Sequence, residues 1–72
     1  MKDIKITNNI RKLRFFHNEM TQQQLAEKVG ASRQTIVAVE AEKYTPSLEL
    51  AFKIARAFNV ELGEVFTCEI DD

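Results

Sequence analysis

The chain has no tryptophan, one cysteine, one histidine, one proline and two glycines. A single cysteine excludes an internal disulfide framework and fits a reducing cytoplasm, the expected location. One histidine and one cysteine fall short of a closed four-ligand zinc site, so no metal is expected. There is no glycine-rich phosphate loop and no signalled base–nucleophile pair, so neither an enzyme nor a cofactor is expected. No apolar run approaches the roughly 18 residues that span a membrane. The opening "MKDIKITNN" lacks the apolar segment of a signal peptide. No repeat, linker, low-complexity tract or separate ligand domain is visible, which leaves one domain over residues 1–72 and no evident small-molecule ligand.

What is present is enough for a core. Apolar residues make up 44% of the chain and five are Phe, which argues against disorder although the length is near the lower limit for a stable domain. The formal net charge of −1 averages two unlike regions. Residues 1–60 hold all ten Lys and Arg against six acids, a surplus of +4, whereas residues 61–72 hold five acids and no base. Net charge therefore neither excludes nucleic acid nor establishes it.

Periodicity places the elements. "DIKITN" sets Ile4 and Ile6 on one side at period two, a short strand pattern. Thr7 is positioned to cap a first helix, with Ile10, Leu13 and Phe16 or His17 inward. Thr21 and Gln24 have the spacing of a capping box. Leu25, Ala26 and Val29 form an inner stripe, and Gly30 ends that helix. Ser32 caps the next, with Ile36, Val39 and Glu40 inward. Pro46 opens a fourth helix at a position where a missing amide is harmless, and its inner face is Leu48, Ala51, Ile54, Ala55 and Phe58. "ELGEVF" makes a last short turn. "FTCEI" alternates again, setting Phe66, Cys68 and Ile70 against Thr67 and Glu69. The reading is all-α, five helices, with a two-stranded ribbon of the termini as an addition.

The segment "GASRQTIVAVEAEKY" raises a question of its own. Its helix carries Arg33, Gln34, Val37 and Ala38 on an outer face, where a solvated helix would more often show Glu and Lys. A guanidinium, an amide and two small apolar groups suit base-pair edges. Over residues 21–41 the chain also has what two crossing helices need: a small Ala26, a turn at Gly30, and a joint core of Leu25, Val29, Ile36 and Val39.

Residues 7–66 resemble the Cro/CI-type (lambda-repressor-like, or XRE) helix-turn-helix regulators. The motifs are Thr21-Gln22, Leu25-Ala26, Val29-Gly30, Ser32-Arg33-Gln34-Thr35-Ile36, Glu40, Lys43-Tyr44 and Pro46-Ser47-Leu48. The resemblance implies a compact five-helix DNA-binding domain whose third helix enters the major groove of double-stranded DNA. Arg33 and Gln34 would then read guanine and adenine edges, and Val37 and Ala38 would meet thymine methyl groups. Gln22, Ser32, Lys43, Tyr44 and Thr45 would contact phosphates. Arg14 and Glu40 match a family ion pair joining helix 1 to helix 3. The chain departs from the family pattern in two places. Glu42 stands where many members have Gly, and "LRFFHNEMTQ" makes the first connection one residue longer.

The remaining residues have plainer readings. Gln23 is a solvated neighbour of Gln22, His17 lies at a surface or helix end, and Cys68 is a half-buried strand residue with no basic neighbour in sequence to activate it. One of Phe15 and Phe16 belongs to the core. The functional expectation is a sequence-specific regulator, a repressor binding an inverted repeat as a homodimer through Leu62, Val65 and Phe66. An antitoxin or a protein-interaction module on the same fold is the alternative. The acidic end, residues 61–72, is expected to be solvated and to oppose non-specific DNA contact.

Overall fold

The alternating stretches near the two ends of the chain pair with each other. In the computed structural model, which describes residues 3–70, β1 (Ile4–Asn8) runs antiparallel to β2 (Phe66–Ile70), with Ile4 opposite Ile70 and Asn8 opposite Phe66. Between them lie α1 (Ile10–Phe16), α2 (Gln22–Val29), α3 (Arg33–Glu40), α4 (Leu48–Ala57) and α5 (Leu62–Val65). The architecture is thus five helices with a small antiparallel sheet, so "all-α" is too coarse a description. Asp71 and Asp72 of the acidic end lie outside the described residues.

The helix stripes close over one core. Leu25, Ala26 and Val29 of α2, Ile36 and Val39 of α3, and Ala51, Ile54, Ala55 and Phe58 on and after α4 are buried. Ile10, Met20 and Val65 complete it. Burial of such side chains contributes roughly 1.5–3 kcal/mol each for the larger ones, before the entropy of ordering is subtracted.

Caps hold the ends. Thr21 accepts from the Gln24 amide while the Gln24 side chain accepts from the Thr21 amide, a complete capping box. Ser32 and Ser47 accept from the amides of Thr35 and Leu50. The helix C-termini turn through left-handed residues at Gly30, Glu42 and Asn59. At Glu42 the amide of Lys43 donates back to Ala38 and that of Glu42 to Val39, both at 3.0 Å, which helps satisfy carbonyls at the end of the helix.

Several sequence expectations need correction. Thr7 does not cap α1: it lies in β1 and its hydroxyl pairs with that of Thr67, while the Asn8 side chain accepts from the Ile10 amide. Pro46 precedes the helix instead of opening it, because Ser47 is the cap of α4. Leu48, at the first helical position, is exposed, since the inner stripe meets the core only from Ala51 onward. Phe15 and Phe16 are both exposed, at 63% and 68%, because Ile10, Leu13, Arg14 and His17 occupy the inner side of α1. Cys68 is exposed, as a two-stranded ribbon leaves β2 uncovered at that position. Val65 is fully buried and belongs to the protomer's own core, so it cannot form part of a surface patch, whereas Leu62 and Phe66 remain half-buried.

Candidate nucleic-acid interface

The joint between α2 and α3 is built from small or fully buried residues. Ala26 has no exposed surface at the crossing, and the Ala31 amide donates to its carbonyl at 3.0 Å as the chain reverses through Gly30 at φ 71°. A side chain other than glycine is strained in that backbone region. Ile36 and Val39 then lock α3 from beneath.

This leaves the opposite face of α3 outward. Arg33, Gln34 and Val37 are exposed and Ala38 is half-buried, so the four residues expected to read bases share one accessible face. The one acid of α3, Glu40, stands two turns on from Arg33, its carboxylate only 11% exposed and tied to Arg14. Ser32 is exposed at the start of the helix, but its oxygen is already engaged by the Thr35 amide and lies 2.9 Å from the Thr35 hydroxyl, so its first role is capping. Lys43, Tyr44 and Thr45 follow α3 and are exposed. Gln22 opens α2 and is half-buried.

Behind this face sits a polar cluster. Arg14 Nε donates to Glu40 Oε2 at 2.7 Å and Nη2 to Oε1 at 3.0 Å, a two-pronged pair whose side chains are only 16% and 11% exposed. Arg14 Nη1 donates to the Met20 carbonyl at 2.8 Å. The connection from α1 to α2 passes through two consecutive left-handed residues, Asn18 and Glu19, and Arg14 faces Glu40. Two contacts were invisible in the sequence. Gln22 Nε2 donates to Glu40 Oε1 at 3.3 Å, and Asn8 Nδ2 reaches the carbonyls of Val39 and Glu40 at 3.1 and 3.4 Å.

Glu42, the acid beside Lys43, reaches toward β1. Its carboxylate lies 3.8 Å from Lys5 Nζ on β1, an exposed contact with little net energy but a clear direction. Gln23 bonds Glu27 one turn on. Among the described residues no group of acids, His and Cys is arranged to hold a metal ion, and no helix is long and apolar enough to cross a membrane.

A family model described as helix-turn-helix matches residues 10–65. The chain belongs to the helix-turn-helix family. Over 65 residues it is 51% identical to an uncharacterized HTH-type transcriptional regulator of Methanocaldococcus jannaschii, covering 90% of this chain and 97% of that one. A Bacillus subtilis relative with the same kind of name is 47% identical over 49 residues, covering 68% and 74% of the two chains. Among solved structures, a candidate DNA-binding protein from Bacteroides fragilis superposes with a TM-score of 0.74 at 29% identity, covering 86% of this chain and 98% of that chain. The matched region takes in all five helices, so the joint, the outward face of α3 and the Arg14–Glu40–Gln22 contacts fall inside it, while Asn8 lies outside.

Proposed function

We propose that the protein is a sequence-specific double-stranded DNA-binding regulator that acts as a homodimer and represses by occupying a promoter. The observation that carries this reading is the outward face of α3. It presents a guanidinium, an amide and two small apolar side chains with no acid among them, on a helix held rigidly from behind. Arg33 and Gln34 would take purine edges and Val37 and Ala38 thymine methyls, each good polar pair being worth roughly 1–3 kcal/mol of discrimination. Lys43, Tyr44, Thr45 and Gln22 flank that face and would fix the register on phosphates, with Ser32 contributing only what its cap leaves free.

One small helix in one groove binds modestly; two copies on half-sites about 34 Å apart combine their contacts. For the second copy, Leu62 and Phe66 keep their expected role, joined by Ile6, Pro46 and Leu48, which line an apolar cleft of about 290 Å³. Val65 drops out of that interface because its own core holds it.

The alternative, a protein-interaction module or antitoxin, draws on the exposed Phe15 and Phe16, whose rings meet edge-on at 5.4 Å. The contact of Glu42 with Lys5 gives its carboxylate a basic neighbour and weighs toward the DNA reading.

The test is a selection of random duplexes by the purified protein, followed by binding of the winners across salt. An enriched inverted repeat with a steep salt slope supports the reading. Flat salt dependence with no enrichment sinks it. Arg33→Ala should weaken binding to the selected sequence roughly tenfold or more while random DNA is bound almost as before. Unchanged discrimination would remove Arg33 from the reading face.

A further inference from the structure

Glu40 pairs with Arg14, and its Oε1 accepts from two side chains. Arg14 Nη2 reaches it at 3.0 Å and Gln22 Nε2 at 3.3 Å. Gln22 is the first residue of α2, where the helix's first backbone amides point outward without intrahelical partners. Thr21 Oγ1 satisfies the Gln24 amide, which leaves the amides of Gln22 and Gln23 as the donors that α2 itself does not use.

We propose that Glu40 is a positioning residue for DNA contact: it takes one amide hydrogen of Gln22 and thereby aims the other at a phosphate beside the start of α2. This rests on the DNA-binding reading above and adds a role to it.

The argument is one of donors and acceptors. A primary carboxamide has an acceptor oxygen and a nitrogen with two hydrogens, and the two ends exchange places by a half-turn about the last side-chain bond. An ionised carboxylate only accepts. Facing Glu40, the half-turned amide would set oxygen against oxygen, so Glu40 selects the state in which nitrogen points at it. The second hydrogen on that nitrogen lies about 120° from the first and is free to meet a phosphate oxygen, which also only accepts. Gln22 then bridges two anionic acceptors through one nitrogen.

The carboxylate itself cannot swing away. Arg14 grips both of its oxygens, Arg14 Nη1 is tied to the Met20 carbonyl one residue before the capping box, and Asn8 holds the Glu40 backbone to β1. The geometry of the Gln22 amide is therefore set by α1, α3 and β1 together. Arg14 acts one step further back, as the group that holds Glu40.

The experiment is a double-mutant cycle on operator affinity, using the tightest duplex from the random selection as probe, with melting temperatures recorded for each variant. Gln22→Ala should weaken binding about tenfold per half-site, the scale of one hydrogen bond to a charged group, and leave the melting temperature almost unchanged. Glu40→Gln should weaken binding by a similar factor, because glutamine both donates and accepts and no longer selects one amide state. The double variant should bind no more weakly than the weaker single variant. Where Glu40→Gln melts below the assay temperature, Glu40→Asp replaces it: the charge opposite Arg14 is kept and the reach toward Gln22 is shortened.

Losses that multiply in the double variant would show two independent effects and overturn the proposal. So would a Gln22→Ala protein that binds as well as the original. If instead the selection yields no preferred duplex, it is the DNA-binding reading that fails, and the two failures remain distinct.

Discussion

Glu42 occupies a left-handed backbone position, φ 62°, at the C-terminal turn of α3. A residue with a Cβ is strained there by about 1 kcal/mol or more, and the compensating contact to Lys5 is long and solvent-exposed. Glu42→Gly should therefore stabilise the domain by about 1 kcal/mol, read as a higher urea midpoint with unchanged slope. A lower midpoint would mean that the Lys5 contact outweighs the backbone strain. The resemblance to relatives with glycine at this position pointed at the right residue. It could not show that the turn survives the substitution, because that depends on the back-donated amides of Glu42 and Lys43, which have no trace in side-chain identity.

For the helices, what the sequence disclosed and what it hid divide along physical lines. The stripes Leu25–Ala26–Val29, Ile36–Val39 and Ala51–Ile54–Ala55–Phe58 were legible because burial on one side of a helix imposes a 3.6-residue period. The outward face of α3 was legible as the complement of such a stripe. Edges were harder. Leu48 continues the period but lies beyond the core, and Phe15 and Phe16 are apolar without being inward. Strand alternation announced β1 and β2 correctly, yet alternation marks two faces and does not say that either is covered, so Cys68 was misread as half-buried. The crossing of α2 and α3 makes a sharper demand. Ala26 has no free surface there, and Ala26→Leu should cost roughly 1–3 kcal/mol through overpacking. It should also reduce operator affinity, since α3 must shift to admit the larger side chain. Full stability with full affinity in that variant would place the crossing elsewhere.

At the scale of the whole molecule the proposed dimer separates two substitutions that look alike on paper. Leu48 is 68% exposed at the apolar cleft, and Val65 has no exposure at all. Leu48→Asp should yield a folded monomer by sedimentation, with operator binding lost in parallel. Val65→Asp should unfold the protein outright, because an unpaired carboxylate in the core costs more than a domain of this size can absorb. A Leu48→Asp protein that remains dimeric would move the interface away from the cleft.

The ribbon has a consequence for the order of assembly. Ile4 meets Ile70, a pairing that bridges nearly the full described length, whereas α2 and α3 are neighbours joined by a short turn. Closing so long a loop has an entropic cost that only the rest of the fold can offset. The α2–α3 pair can therefore gather from a stretch of about twenty residues, and the ribbon zips last. In a refolding experiment α2 and α3 would gain protection against hydrogen exchange before the two strands do.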